Sequence, residues 1–178
     1  MACKKKLACV LCTTGLGPKE EQLMQQAALT IPVFHSANMS LGINLLAQLA
    51  RRAAAALPGF DIEIIEKHHN KKLDAPSGTA LLLADAINRQ AGGTYEYVYN
   101  RQPLRQARGG KEIGIHAVRG GTIVGDHDLL FAGPDEVITL SHSAQSRNVF
   151  ANGAIAAALY VAKKPAGLYS MQDLMEEL

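Results

Sequence analysis

The sequence predicts an α/β protein with an open mixed sheet and flanking helices. A continuous apolar run from Leu7 to Leu11 is typical of a buried parallel strand, and helical spacing follows from Pro18 to about Leu29. Between Glu112 and Ser143, apolar and polar residues alternate, which predicts strands with one buried face. Hydrophobic residues make up 48% of the chain and aromatic residues only 5%, a composition that favours an aliphatic α/β core.

The other elements follow from local patterns. After a short strand at 31–34, the helix from about Ser40 to Leu57 is predicted by apolar residues at helical spacing. The β-branched run from Asp61 to Ile65 predicts a strand, and Ser77 is a good N-cap for a helix at 79–87. The remaining predictions are antiparallel strands at 112–118 and 121–131 around a Gly-Gly pair, a strand at 136–143, a long loop at 92–110, and helices at 148–163 and 170–178. The open sheet is therefore expected to have about four strands.

Composition and charge narrow the classes of function. The 178 residues carry a formal net charge of +2, with basic residues spread along the chain, so charge does not support nucleic-acid or membrane-surface binding. A small-molecule role is the better expectation. Cys3, Cys9 and Cys12 lie near the start, and the apolar stretch beside them is too short for a signal or a membrane span, so a cytoplasmic protein with reduced thiols is expected.

Residues 66–80 are the most informative segment for function. His68 and His69 lie at the end of a predicted strand, a lysine-rich loop follows, and Ser77 begins the next helix. Imidazole is suited to proton transfer near neutral pH, and a helix N-terminus attracts anions. Gly78 would let a ligand carboxylate approach the main chain. The segment therefore predicts a site for an anionic, carboxylate-bearing substrate that receives a proton.

Two other interpretations of this segment compete with a proton-transfer site. The lysines could form a solvated charge run beside one half-buried histidine, but the convergence of several functional groups within twelve residues favours a site. Zinc is the second alternative. Adjacent histidines on a strand point to opposite faces, and no cysteine or acidic residue lies at ligand spacing, so no metal is predicted.

Four segments together resemble the 4-hydroxy-tetrahydrodipicolinate reductases, also called dihydrodipicolinate reductases, of lysine and diaminopimelate biosynthesis. The segments are Glu66 to Ala80, Ser36 to Gly42, Val118 to His127 and Ser143 to Ala154. The resemblance covers essentially the whole chain. It implies hydride transfer from NADH or NADPH to an unsaturated cyclic dicarboxylate, with protonation and loss of water, and it leaves the choice between the two cofactors open.

The resemblance also implies residue roles. His68 is expected to be the general acid/base and Lys72 a second proton donor. The substrate carboxylates are expected to bind His69, Ser77, Gly78 and Thr79. The expected nicotinamide-binding residues are Cys12, Thr13, Thr14, Ser36, Ala37, Asn38, Met39, Arg147 and Phe150. A homotetramer assembled through the strands between 112 and 143 is implied as well.

The chain departs from the family pattern at the start of the nucleotide-binding domain. Cys12 stands where the family usually has glycine, and the glycine-rich dinucleotide fingerprint is not found, because the segment 15–17 runs into Pro18 without a third glycine. The expected domains are a Rossmann-like remnant at 1–38, a substrate-binding and oligomerisation domain at 39–150, and a helical return at 151–178. Two functions remain open: the reductase, and a truncated, non-catalytic module that binds a dicarboxylate and oligomerises.

Overall fold

The computed structural model describes residues 2–177. It confirms the predicted α/β class and divides the chain into two compact units. Unit 1 contains the described residues up to Asn44 and those from Arg147 onward, and unit 2 contains Leu45–Ser146. Among residues 2–177, no helix is long and apolar enough to cross a membrane.

The elements alternate along the chain as the sequence predicts, with three short additions. The helices are α1 (Ala2–Lys5), α2 (Pro18–Ala28), α3 (Leu41–Ala56), α4 (Gly78–Gln90), α5 (Asn148–Val161) and α6 (Met171–Glu176). The strands are β1 (Cys9–Leu11), β2 (Pro32–His35), β3 (Asp61–His68), β4 (Glu96–Val98), β5 (Glu112–Arg119), β6 (Asp126–Ala132), β7 (Val137–Ser143) and β8 (Gly167–Tyr169). The sequence did not indicate α1, β4 or β8, which span only three or four residues each and are too short to show a hydrophobic period.

Unit 1 is a three-stranded parallel sheet in the order β1-β2-β8. Alternate residues of β2 face opposite layers, as the period of a strand requires. Val33 packs with Ala28 of α2, whereas Phe34 packs in a second cluster with Val161 of α5 and Met171 of α6. The central strand β2 is thus buried on both faces, which explains its adjacent apolar residues Val33 and Phe34.

Unit 2 is a five-stranded mixed sheet in the order β4-β5-β3-β6-β7. The sequence predicted β5 and β6 as antiparallel strands on either side of Gly120-Gly121. They are not neighbours, because β3 lies between them and pairs in parallel with β5 and antiparallel with β6. Alternation shows which residues share a face and does not specify the partner strand. The predicted loop at 92–110 contains β4, which raises the expected count from about four strands to five.

One face of this sheet is buried and the other is partly open. The buried residues include Ile62, Ile64, Ile113, Ile115, Leu129 and Phe131, and helix α4 packs on β3 with Leu83 and Ile87 buried. Two polar residues, Glu66 and His68, continue the same face at the carboxyl end of β3. The candidate site therefore begins where the apolar core ends.

On the opposite face, Arg108 ties the long loop to the sheet. Its guanidinium donates to Asp61 Oδ1 at 2.7 Å, to Glu63 Oε1 at 3.0 Å and to the carbonyl of Ile62 at 2.9 Å. Glu63 Oε2 lies 2.7 Å from His116 Nε2 on β5. The Glu63 carboxylate thus has a guanidinium and an imidazole as hydrogen-bond partners, and this ion-pair cluster lies outside the candidate site.

Candidate active site

Strand geometry places Glu66 beside His68. Residues i and i+2 of a strand project to the same face, so both side chains leave β3 on its buried side. The Glu66 side chain is completely buried, and its Oε2 lies 2.6 Å from His68 Nδ1. The His68 ring is 11% exposed, so it lies at the margin between the core and solvent.

Arg119 supplies the counter-charge for Glu66. It ends β5 and lies directly opposite His68 in the parallel register. Its Nη1 donates to Glu66 Oε2 at 2.8 Å and its Nη2 donates to Oε1 at 2.6 Å. Nη2 also donates to the carbonyl of Asp74 at 2.7 Å, which attaches the loop before α4 to the same centre. This bidentate geometry is the strong form of a carboxylate–guanidinium pair.

Ser77 joins α4 to the same carboxylate. Its backbone N–H donates to Glu66 Oε1 at 3.0 Å, and its Oγ accepts the Ala80 N–H at 3.1 Å. The predicted N-cap is confirmed, and the helix begins at Gly78. Glu66 therefore contacts both the acid/base candidate and the residue that starts the helix.

Two opposing effects, burial and hydrogen bonding, set the charge state of Glu66. Burial pushes its pKa upward, but hydrogen bonds from Arg119, His68 and the Ser77 N–H outweigh burial and leave the pKa below the ordinary value. Glu66 is therefore an ionised carboxylate at neutral pH, and it accepts every hydrogen bond that it makes.

A second histidine, His127 on β6, completes the buried part of the site. Its Nε2 lies 3.1 Å from Ser77 Oγ, and its ring centroid lies 5.3 Å from that of His68 in an edge-to-face arrangement. Within residues 2–177, the buried Nδ1 has no hydrogen-bond partner. Burial, followed by the electrostatic effect of the neighbouring His68 ring, lowers the pKa of His127 to about 4. His127 is thus neutral at physiological pH.

Acid should destabilise the protein through His127. Its pKa falls from 6.5 to about 4 on folding, so the unfolded chain binds the proton more readily. The stabilisation is complete above the unfolded pKa and is lost as the pH falls towards the folded pKa. We expect His127 to reduce the free energy of unfolding by about 3 kcal/mol between about pH 6.5 and 4, since one pKa unit corresponds to about 1.4 kcal/mol. Urea denaturation at several pH values measures this change in the free energy of unfolding.

His127→Gln is the matched variant for this test, because it keeps a polar side chain and removes the titration. Burial also lowers the pKa of His142, directly opposite His127 on β7, and this contribution remains in both proteins. The difference between the two pH profiles therefore isolates His127. Parallel profiles between pH 6.5 and 4 would contradict the assignment.

The loop that follows β3 contains the other predicted substrate residues. Lys72 Nζ forms an ion pair with Asp74 Oδ1 at 2.8 Å, and its backbone N–H donates to the carbonyl of His69 at 3.2 Å. His69 is half-buried, and Gly78 is exposed. A Cβ built at Gly78 would meet no atom within 4 Å, so there is open space beside the start of α4. Thr79 lies in the first turn of that helix.

The structure thus brings the predicted substrate residues of unit 2 to one end of β3 and the beginning of α4. The backbone of the Gly120-Gly121 turn supports them, since the Gly120 N–H donates to the carbonyl of His68 at 2.9 Å. Gly125 lies on the other side of the His68 ring, and a Cβ there would be 3.0 Å from Nε2. In the described part of the chain, no group of three His, Cys, Asp or Glu residues could hold a metal ion.

In unit 1, two predicted nicotinamide segments lie at the same edge of the parallel sheet. Leu11 pairs with His35, so Cys12–Thr14 and Ser36–Met39 both follow the carboxyl ends of their strands. Cys12, Thr13 and Thr14 are exposed, and the carbonyl of Thr13 lies 3.2 Å from His35 Nε2. Ligands of open α/β sheets bind at this type of edge.

Helix α5 approaches the second of these segments closely. A Cβ at Gly153 would lie 1.6 Å from the carbonyl oxygen of Met39, which means that only glycine fits there. Asn38 is buried, and its Oδ1 accepts the Ser40 N–H at 2.9 Å. Arg147 and Phe150 are exposed at the beginning of α5, before Gly153. The predicted cofactor residues of unit 1 therefore lie at the carboxyl ends of β1 and β2 and at the beginning of the helix that packs against Met39, and their function stays a prediction.

Sequence reasoning assigned no role to Glu66, Arg119 or His127. One signal was available for Glu66: it occupies an apolar position in the alternation of β3, where Ile62 and Ile64 precede it. A carboxylate on a buried face requires partners. The partners themselves, on β5 and β6, could not be identified without the strand order.

Comparison with known proteins gives the family. The family model described as dihydrodipicolinate reductase, C-terminus, matches residues 42–175. The 4-hydroxy-tetrahydrodipicolinate reductase of Caldanaerobacter subterraneus subsp. tengcongensis is 57% identical over 176 residues, which cover 99% of this chain and 70% of that protein. The chain belongs to the dihydrodipicolinate reductase family. The enzyme of the same name from Clostridium tetani is 51% identical over 97% of this chain and 68% of its own length.

A solved structure of the dihydrodipicolinate reductase family has the same fold. The dipicolinate-bound dihydrodipicolinate reductase from Paenisporosarcina sp. TG-14 has a TM-score of 0.78 and 29% sequence identity. The match covers 95% of this chain and 64% of that protein. The chain thus spans about two thirds of the length of the family members that it matches.

Proposed function

We propose that this chain reduces 4-hydroxy-tetrahydrodipicolinate to tetrahydrodipicolinate with NADH or NADPH and with loss of water, and that unit 2 binds the dicarboxylate and protonates it. The observation that carries the proposal is the contact of Glu66 with both His68 and Ser77, at 2.6 and 3.0 Å. One buried carboxylate thereby holds a proton-transfer group next to a helix N-terminus. The dipicolinate-bound family member supports a planar cyclic dicarboxylate as the ligand class.

Dicarboxylate binding would use the beginning of α4. Backbone N–H groups at a helix N-terminus and the helix dipole both favour an anion. Gly78 leaves open space for a carboxylate there, and the imidazole of His69, on the loop that leads to α4, would supply a second donor. Lys72 lies on the same loop, where its ammonium forms an ion pair with Asp74, and a substrate carboxylate would be a second partner for that ammonium. These groups would hold the two carboxylates of the substrate.

Protonation would use His68. A general acid needs a proton on an atom that faces the substrate, and Glu66 already occupies Nδ1 at 2.6 Å. Nε2 is the nitrogen that remains for the substrate. Lys72 is the second proton donor, because an ammonium close to a carboxylate-bearing ligand can both orient it and return a proton.

The residues of unit 1 fit the nicotinamide end of the cofactor. The exposed side chains and backbone groups of Thr13 and Thr14 suit hydrogen bonds to the nicotinamide carboxamide. A bound nicotinamide would supply the hydride. The pyrophosphate does not fit the beginning of α2. A Cβ at Gly17 would lie 2.8 Å from Glu20 Oε2, so a carboxylate already folds over that helix N-terminus. No step of the proposed mechanism is assigned to α2.

This occupied helix start favours a second candidate function, a non-catalytic module that binds the dicarboxylate and oligomerises. The sheet of unit 2 has one partly open face with exposed apolar side chains, including Val118 at 45% and Val137 at 59% exposure. A second copy of the chain could cover this face, and we propose a homotetramer as its assembly. Both candidate functions use the same substrate site and differ only in turnover.

Oxidation of NADH and NADPH by the purified chain separates the two functions. The substrate is generated in situ, absorbance at the nicotinamide band is followed, and His68→Ala serves as the inactive control. Turnover that depends on His68 supports the reductase. A folded chain that binds dipicolinate without turnover supports the module. A folded chain that does neither refutes both.

Replacing His69 by alanine should weaken ligand binding more than chemistry. Loss of one carboxylate contact is expected to raise the Kd for dipicolinate about tenfold, which corresponds to about 1.4 kcal/mol. Isothermal titration calorimetry measures the effect. Lys71→Ala is the matched control, since Lys71 is an exposed cation two residues away. Equal losses in both variants would indicate a general charge effect and not a contact by His69.

A further inference from the structure

We propose that Glu66 and Arg119 are positioning residues that keep a hydrogen on Nδ1 of His68, so that Nε2 is the nitrogen that takes up a proton from solvent and delivers it to the substrate, which leaves neutral His68 in the Nδ1–H tautomer. The inference rests on the proposed function of His68 as acid/base. It adds the residues that select the reactive nitrogen, to which no role could be assigned without the strand order.

The acceptor capacity of Glu66 is filled. A carboxylate offers about four lone-pair sites and donates nothing when it is ionised. Three donors of fixed polarity bind Glu66, namely Nη1 and Nη2 of Arg119 and the Ser77 N–H, and His68 Nδ1 is its fourth partner. Arg119 and the backbone N–H are donors in every state. The carboxylate thus stays fixed as an acceptor toward His68, and Nδ1 must carry a hydrogen.

The surroundings of His68 Nε2 differ from those of Nδ1. A Cβ at Gly125 would lie only 3.0 Å from Nε2, so glycine leaves that side of the ring without a side chain. The His68 and His127 rings meet edge to face, and His127 Nε2 lies 3.1 Å from Ser77 Oγ. Within residues 2–177, no carboxylate is bonded to Nε2. Glu66 therefore selects the tautomer from one side, while the other side remains available for a substrate atom.

Arg119 prevents Glu66 from taking another position. Its two nitrogens bind both carboxylate oxygens, and Nη2 also donates to the carbonyl of Asp74. The Ser77 N–H binds the same Oε1. Rotation of the carboxylate would break three hydrogen bonds at once. Arg119 thus orients Glu66, and Glu66 orients His68 relative to the start of α4.

The test reads the tautomer directly. The chain is labelled with ¹⁵N-histidine, and long-range ¹H–¹⁵N spectra are recorded without substrate or cofactor at a pH where His68 is neutral. The signals of His68 are assigned with His68→Gln. We expect a protonated Nδ1 and an unprotonated Nε2. Hydrogen on Nε2 in the wild-type chain would overturn the proposal.

Glu66→Gln should reverse the tautomer. The amide carbonyl would take the place of Oε1, because Oε1 accepts from Arg119 Nη2 and from the Ser77 N–H, whereas Oε2 accepts from one fixed donor, Arg119 Nη1. The NH₂ group would then stand at Oε2 and face Nδ1 of His68. Nδ1 would then accept, and the hydrogen would move to Nε2. Circular dichroism shows whether the variant is folded. An unchanged His68 tautomer in a folded variant contradicts the role of Glu66, and if the variant does not fold, the wild-type spectrum still decides.

Glu63→Gln is the matched control. Glu63 lies on the same strand but on the opposite face, where it bonds His116 and Arg108. It should alter the signals of His116 and leave those of His68 unchanged. An equal response of His68 to both variants would mean that its tautomer reports general strain in β3. Because these spectra involve no ligand, a lack of turnover would refute the reductase without affecting the tautomer result.

Discussion

Replacing His68 by alanine is expected to lower kcat by about 10²- to 10⁴-fold, the usual contribution of a general acid or base. The dipicolinate Kd should change by only a few fold, because the carboxylates bind at α4 and His69 in the proposed site. The reason is geometric: His68 contacts Glu66 through Nδ1 and keeps Nε2 for the proton. Steady-state kinetics with calorimetric titration measures both quantities.

His116→Ala is the matched control for this prediction. His116 is also bonded to a glutamate of β3, at 2.7 Å, but it lies on the opposite face of the sheet. Its removal should leave kcat close to the wild-type value. If His68→Ala retained normal turnover, or if both variants lost it equally, the acid/base assignment would be wrong.

Replacing Gly153 by alanine is expected to destabilise unit 1 by about 3 kcal/mol or more, near the upper end of the cost of overpacking a core. The new Cβ would lie 1.6 Å from the carbonyl oxygen of Met39 and 2.8 Å from its carbonyl carbon. These are backbone atoms, so no side-chain rotation relieves the overlap. Helix α5 must then move away from the segment at 36–39, and nicotinamide binding should weaken as well.

Urea or thermal denaturation measures the loss of stability. Gly110→Ala is the control, because a Cβ at Gly110 meets nothing within 4 Å and the residue lies in a loop. It should leave the free energy of unfolding nearly unchanged. A Gly153→Ala protein with wild-type stability would show that α5 does not approach Met39 as closely as the structure indicates.

The sequence was sufficient for the elements with a clear period. Helices α2 to α5 and most of the strands follow the predicted patterns, and Ser77 begins α4 as its N-cap. The predictions that were wrong concern which strands pair with each other. The alternation of β5 and β6 was correct, yet β3 separates them, since a hydrophobic period carries no information about which strand is adjacent. The three-residue strands β4 and β8 had too few positions to show any period.

The residues of the candidate site also fall into two groups: those that local sequence patterns predicted, and those that depend on the strand order. His68, His69 and Ser77 were predicted from one short segment, because strand end, imidazole and N-cap are local signals. Arg119 comes from β5, 51 residues beyond His68 in the chain, and meets Glu66 only through the parallel register. His127 reaches Ser77 from the antiparallel neighbour β6. Residues that act across strands become visible only when the order of the sheet is known.

A dicarboxylate site at the beginning of α4 is tested by titrating the ¹⁵N-labelled chain with dipicolinate, followed by ¹H–¹⁵N spectra and calorimetry. We expect one bound dicarboxylate for each chain, with perturbed signals for the Gly78 N–H and the imidazoles of His68 and His69, and weaker binding by His69→Ala. A folded chain that does not bind dipicolinate, or binds it with shifts confined to other residues, would contradict a dicarboxylate site at the beginning of α4.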